Sequence, residues 1–182
     1  MHGISTALVI IAPEAERLLG EFRRAHDCAA RTGSLAHVTL LYPFLRPKEL
    51  NAGVDGRLDA LFRRHAGFPF QLRHSGRFRG VLHLLPEPAA PFIALTQAIW
   101  REFPDHPPYE GRFSHITPHL QVAQGDDEAL LDRLQAEFHA CFGPHLPIHG
   151  RAEGVQLIDD QNGQWHVRRN FPLDGSGMRD GC

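Results

Sequence analysis

Two histidines draw notice because of the residues around them. His37 and Thr39 lie two positions apart in Ser34-Leu35-Ala36-His37-Val38-Thr39-Leu40-Leu41-Tyr42-Pro43-Phe44, an apolar run that reads as a strand. Side chains alternate along a strand, so His37 and Thr39 share one face while Val38 and Leu40 share the other. An imidazole beside a hydroxyl can move a proton and hold an anionic oxygen. A related stretch, Thr117-Pro118-His119-Leu120-Gln121-Val122-Ala123, places His119 82 residues further on, with Gln121 where the first stretch has Thr39. The expectation is that these two strands face each other across one cleft.

Two imidazoles in one pocket suit a reaction in which one proton is removed and another delivered, because imidazole titrates near neutrality. Phosphodiester hydrolysis makes that demand. A base activates water or a ribose hydroxyl, an acid protonates the leaving oxygen, and hydroxyl or amide donors hold the non-bridging oxygens as their charge grows. No metal or other cofactor is needed. A literal His-x-Thr also occurs at His115-Ile116-Thr117, nearer a loop and without an apolar strand after it, so it ranks below His119. Tyr42, Tyr109 and Phe113 can stack on a base, whereas Phe44 reads as core. Arg46, Arg77, Arg79 and Arg112 can supply a positive rim, although each taken singly reads as solvated surface. The remaining histidines, among them His26, His65, His74, His106, His139, His145 and His149, share no spacing, and no His-Glu-x-x-His pattern occurs.

The elements that must position these residues follow from periodicity. Residues 5–11 form an apolar, β-rich run. Pro13 opens a helix whose Ala15, Leu18, Leu19, Phe22 and Ala25 recur at helical spacing. After the His37 strand come a short helix around Leu58–Phe62 and a half-buried strand at Phe68–Leu72. The second half repeats the order: a strand to Leu85, a helix from Pro88 with Phe92, Leu95, Ile99 and Phe103 on one face, the His119 strand, and a helix capped by Gly125-Asp126-Asp127. Strands at Gly154–Asp159 and Trp165–Phe171 close the chain through Asn162-Gly163, a hairpin signal. This order predicts an α+β fold: two pseudo-symmetric lobes, about 5–75 and 79–171, each an antiparallel sheet with helices outside and a central cleft between them. They form one bilobal domain over residues 1–174, with 175–182 as a flexible tail.

The bulk numbers exclude several classes. With 182 residues, 42% hydrophobic and 22% charged, the chain is an ordinary globular mixture. Lys and Arg number 19 against 21 Asp and Glu, a net charge of −2, which does not attract long nucleic acid but allows a small phosphorylated ligand or an RNA end. Cys28, Cys141 and Cys182 are an odd, scattered set that fits reduced thiols in the cytoplasm rather than a disulfide framework or thiolate metal site. The run Ala7–Ala12 is too short for a signal peptide or a membrane span.

The segment from His37 to Phe44 resembles the first signature of the two-histidine (2H) phosphoesterase superfamily, in its bacterial 2′-5′ RNA ligase-like branch. Pro118-His119-Leu120-Gln121-Val122-Ala123 is similar to the second signature, usually Pro-His-Leu-Thr, and Arg77–Pro88 also resembles that branch. The resemblance implies the bilobal fold and hydrolysis of 2′,3′-cyclic phosphate ends of RNA or of small nucleotides to 2′-phosphates by a monomer. It implies His37 and His119 as the acid–base pair, and Thr39 with its counterpart as phosphate donors. Tyr42, Thr117 and His115 are the substrate-binding candidates beside them. The departure is Gln121, longer than a hydroxyl although still a donor. Three readings stand side by side: Gln121 serves as the donor; Thr117 supplies the hydroxyl, if the strand is continuous through Pro118; or the second half-site has weakened and the protein binds nucleotides without turnover. At position 124, where some relatives carry Arg, the chain has Gln.

Overall fold

The structure, a computed structural model, describes residues 5–78, 80–112 and 115–175. Eight antiparallel strands form one sheet in the order β6-β3-β4-β5-β2-β1-β7-β8. They are β1 (Thr6–Ile11), β2 (His37–Leu41), β3 (Phe68–Phe78), β4 (Val81–Glu87), β5 (Leu120–Gln124), β6 (Ile148–Ala152), β7 (Gly154–Asp159) and β8 (His166–Pro172). The helices are α1 (Pro13–His26), the single turn α2 (Cys28–Arg31), α3 (Ala52–Phe62), α4 (Ala90–Glu102) and α5 (Glu128–Phe142). The α+β architecture is the one expected, with the two lobes' sheets joined edge to edge at β2 and β5.

The strands are not shared out in chain order. β3, from the first half of the chain, lies between β4 and β6, while β7 and β8 add to β1. The division at about 75–79 is therefore corrected: one half-sheet is β1-β2-β7-β8 and the other β3-β4-β5-β6. The reason is local. Residues 68–78 and 81–87 form one long hairpin about Gly80, whose φ of +77° suits glycine. That hairpin carries β3 into the second half. β6 has no signal in the sequence, because His149, Gly150 and Arg151 break any apolar alternation; β3 supplies its pairing.

The helices cover one face. Ala15, Leu19 and Phe22 of α1, Leu58 and Phe62 of α3, Phe92, Leu95 and Ile99 of α4 and Phe138 of α5 are buried with Val38, Leu40, Leu82, Leu84, Leu120 and Val122. Pro13 starts α1, with Glu14 and Glu16 in its first turn and Arg23, Arg24 and His26 in its last, as the helix dipole favours. The Asp127 side chain caps α5 by accepting from the Leu130 N–H. α1 packs across to β5 and α4 across to β2, so each helix of a β-α-β unit covers the other unit's histidine strand. The opposite face holds a small apolar cluster, Ala7, Val9 and Ile158, with Ile11, Tyr42 and Trp165 against it. Here the chemistry-bearing side chains emerge.

At the C-terminal end, Asp174 bridges to Ala66 and pairs with Arg63 at 3.0 Å, and the Gly175 N–H donates to the His65 carbonyl at 3.1 Å. Residue 175 is thus tied to the fold, not part of a free tail; residues 176–182 lie outside the described residues. No helix among the described residues is long and apolar enough to cross a membrane.

Candidate active site

β2 and β5 meet through one residue pair, Val38 opposite Leu120. Antiparallel register then sets His37 opposite Gln121 and Thr39 opposite His119. All four side chains lie on the face away from the helices and are half-buried. His119 stands one residue before β5 begins, so the strand anticipated from Thr117 starts only at Leu120; Pro118 lacks the N–H a ladder needs. The alternation read along residues 37–40 holds: Val38 and Leu40 are buried in the main core, His37 and Thr39 are not.

The two rings are held alike. His37 Nδ1 donates to the Leu35 carbonyl at 2.7 Å, and His119 Nδ1 donates to the Thr117 carbonyl at 2.9 Å. A carbonyl only accepts, so Nδ1 carries the hydrogen in both rings and Nε2 is left with its lone pair. The Ser34 hydroxyl adds a longer contact to His37 Nδ1 at 3.4 Å. Burial pushes His37 down to about 4; the Arg23 cation adds to that fall, while the Leu35 carbonyl and the Asp27 carboxylate oppose it. Burial also lowers His119, partly offset by the Thr117 carbonyl.

The other candidates fall around this pair. Thr39 shares a hydrogen bond with the Tyr109 phenol. Tyr109 is held over the site by its backbone N–H, which donates to the Tyr42 carbonyl at 2.7 Å, and by a left-handed φ of +50°. Gln121 commits one amide hydrogen to Asp27 Oδ1 at 2.9 Å, leaving the other. Thr117 and His115 line a pocket of about 540 Å³ beside Thr39, with Trp100, Ile93 and Tyr109. His37 borders a second pocket, of about 240 Å³, with Leu35, Trp165 and Val167. Leu35, Trp100 and Val167, the large apolar side chains most exposed among the described residues at 44, 43 and 50%, all line one of these two pockets. Tyr42 packs edge-on against Trp165 at 6.5 Å but itself lines a separate cavity of about 1180 Å³, with Arg46 and Arg112 and neither His37 nor His119.

Among the described residues, the suggested positive rim does not assemble around the two histidines. Arg77 turns to the helix face and pairs with Asp132 at 2.6 Å, and Arg112 pairs with Glu110. Arg79 and Phe113 lie outside the described residues. Among those described, no three His, Cys, Asp or Glu side chains converge as metal ligands. Three neighbours, His83, Arg23 and Asp27, are not singled out by the sequence reading. His83 on β4, only 4% exposed, lies opposite Gln121, 5.5 Å from the His119 ring, and Phe78 packs against both rings, 4.5 Å from His83 and 4.7 Å from His119. Burial, then the nearby His119, pushes His83 down to about 4. Its signal is the alternation of Leu82-His83-Leu84, which sets a histidine on the face opposite two core leucines. Arg23 and Asp27 have no such local signal.

The family model of the 2′-5′ RNA ligase superfamily matches residues 11–164. The chain belongs to the 2′-5′ RNA ligase superfamily. These are 2H phosphoesterases, so phosphoester chemistry is its coarse function. Solved structures agree on the fold. TT0787 of Thermus thermophilus superposes with a TM-score of 0.63 at 17% identity, covering 96% of this chain and 100% of that one. E. coli LigT complexed with 3′-AMP gives 0.59 at 17%, covering 95 and 99%. Usb1 of Kluyveromyces marxianus gives 0.51 at 12%, covering 94 and 98%. No curated protein matches the chain in sequence. In this 2′-5′ RNA ligase superfamily member one motif histidine stands on β2 and the other immediately before the adjacent strand β5, with a glutamine opposite the first of them.

Proposed function

We propose that the protein is a metal-independent phosphodiesterase that opens 2′,3′-cyclic phosphate ends of RNA or nucleotides. The observation that carries this is the matched pair of rings, each fixed through Nδ1 and each free at Nε2, across the β2–β5 seam. His37, the more strongly depressed of the two, is the base and His119 the acid. His37 Nε2 takes a proton from water as the water oxygen bonds to phosphorus. The P–O3′ bond breaks, and His119 Nε2–H delivers its proton to O3′. The product is a 2′-phosphate beside a free 3′-hydroxyl, and solvent exchange resets the pair. Thr39 and the second amide hydrogen of Gln121 hold the non-bridging oxygens. Bound phosphate, being anionic, raises both imidazoles and so favours the protonated acid.

The exposed apolar walls of the flanking pockets support a substrate with a nucleobase. E. coli LigT has been captured with 3′-AMP, NADP+, ATP and phosphate, ligands of the same chemistry. A nucleotide-binding module without turnover is the second reading, favoured by the amide hydrogen that Gln121 spends on Asp27. The test is product formation from a 2′,3′-cyclic-phosphate RNA end, in EDTA, by wild type and His37→Ala. Turnover by the wild type alone supports the hydrolase. Saturable binding without product in either moves the protein to the second reading.

A further inference from the structure

The seam between the half-sheets has one strand pair, and on its His37 side a guanidinium takes over from the ladder. Arg23, near the C-terminal end of α1 and 1% exposed, donates Nε to the Gln121 carbonyl at 3.0 Å and Nη1 to the Ser34 carbonyl at 3.2 Å. One carbonyl belongs to β5 and the other to the segment entering β2. A planar guanidinium with five donors is the side chain able to bridge two carbonyls and still meet a carboxylate. Its Nη2 donates to Asp27 Oδ2 at 3.0 Å and its Nη1 also reaches Glu16 Oε2 at 3.2 Å. Glu16 Oε2 in turn accepts the Ala36 N–H at 2.7 Å, next to His37. Asp27 Oδ1 accepts the Ala29 N–H at 3.0 Å and the Gln121 amide at 2.9 Å. The backbone and side chain of Gln121 are therefore held by the same buried pair that holds the approach to His37. A threonine hydroxyl at 121 would fall short of Asp27.

We propose that Arg23 and Asp27 are positioning residues of the two-histidine site, and that Gln121 is the socket through which the second half-site is tied to the first. This rests on the hydrolase reading for its kinetic consequence, although the coupling itself is a property of the folded chain. Glutamine at 121 is then an adaptation to the Arg23–Asp27 pair, and restoring threonine works against the site. The charged and titratable groups acting on His37 are Arg23, Asp27 and His119, with Glu16 behind Arg23.

The experiment combines kinetics on a 2′,3′-cyclic nucleotide with NMR titration of the His37 and His119 ring protons. Gln121→Thr should lower kcat by about tenfold or more with KM nearly unchanged, and Gln121→Asn should recover part of it. Asp27→Asn should move the His37 titration to lower pH, since the opposing anion is gone. Arg23→Lys keeps the charge but loses the fork, so it should lower kcat while leaving that titration in place. Unfolding midpoints identify any variant that fails to fold, and the Gln121 variants leave the Arg23–Asp27 pair intact. A Gln121→Thr enzyme as fast as wild type, or a folded Asp27→Asn with an unmoved His37 titration, overturns the proposal. A wild type that binds without turnover removes the hydrolase reading alone, and the titrations still decide the coupling.

Discussion

His37 and His119 carry their rings in the same way, each donating Nδ1–H to the carbonyl two residues earlier, Leu35 at 2.7 Å and Thr117 at 2.9 Å. The backbone thus sets both tautomers before any substrate arrives. Neither ring depends on a carboxylate for its orientation, and the nitrogen that does chemistry is Nε2 in both.

Paired action predicts a particular mutational pattern. His37→Ala and His119→Ala should each lower kcat by about 10²–10⁴-fold. The double variant should be little worse than the poorer single one, because groups that act as a unit lose their effect together. Steady-state kinetics on the three proteins checks this, and losses that multiply would count against a single concerted pair.

The pH profile follows from the direction of the shifts. The productive free enzyme carries one proton on the pair, and kcat/KM reports the free enzyme. Both histidines lie below the usual 6.5, His37 at about 4. Above 6.5 the singly protonated fraction falls about tenfold per pH unit. The optimum of kcat/KM should therefore lie below pH 6.5 with a declining limb through neutrality; an optimum at pH 7 or above contradicts this assignment.

Acid should cost stability through His83. Its folded value, about 4, lies below the unfolded 6.5, so between these the unfolded chain binds more protons. The contribution is whole above pH 6.5 and is lost as pH falls towards 4, up to about 3 kcal/mol. His83→Phe keeps a ring against Phe78 and removes the titration. Thermal unfolding from pH 7 to 4.5 should show a shallower decline for the variant than for the wild type.

Trp100 offers an apolar ring to solvent beside Thr39 and Thr117. Trp100→Ala should raise KM for a cyclic nucleotide by about 5–150-fold, the range of about 1–3 kcal/mol for one stacked base. An exposed side chain contributes little to folding, so the unfolding midpoint should stay put. A phosphodiester without a nucleobase should not distinguish the two proteins.

What the sequence makes legible is short in range. Alternation places His37 and Thr39 on one face, helical spacing places Ala15, Leu19 and Phe22 in the core, and Asn162-Gly163 marks the last hairpin, where both residues have positive φ. The placement of β3 beside β4 rests on register over an 11-residue strand, which no window of polar and apolar residues specifies. The same holds at the seam. Asp27 and Gln121 are 94 positions apart, Arg23 and Gln121 98, and neither Arg23 nor Asp27 stands in a pattern that sets it apart from any helix-end charge. His83 is the one hidden neighbour whose signal is local, a lone imidazole at period two within an apolar strand.

The interleaving of the half-sheets bears on how the chain is made. β1 and β2 are made before the other strands of the sheet, yet the strands outside β1, β7 and β8, are residues 154–172. Until residues 154–159 have been made, β1 presents an open edge, and Val9 and Ile158 have not yet met. The half-site built on His37 is thus completed only after β3 to β6 have been made, although its own strand precedes them, and cutting the chain near residue 79 would yield two fragments, neither holding a whole half-sheet.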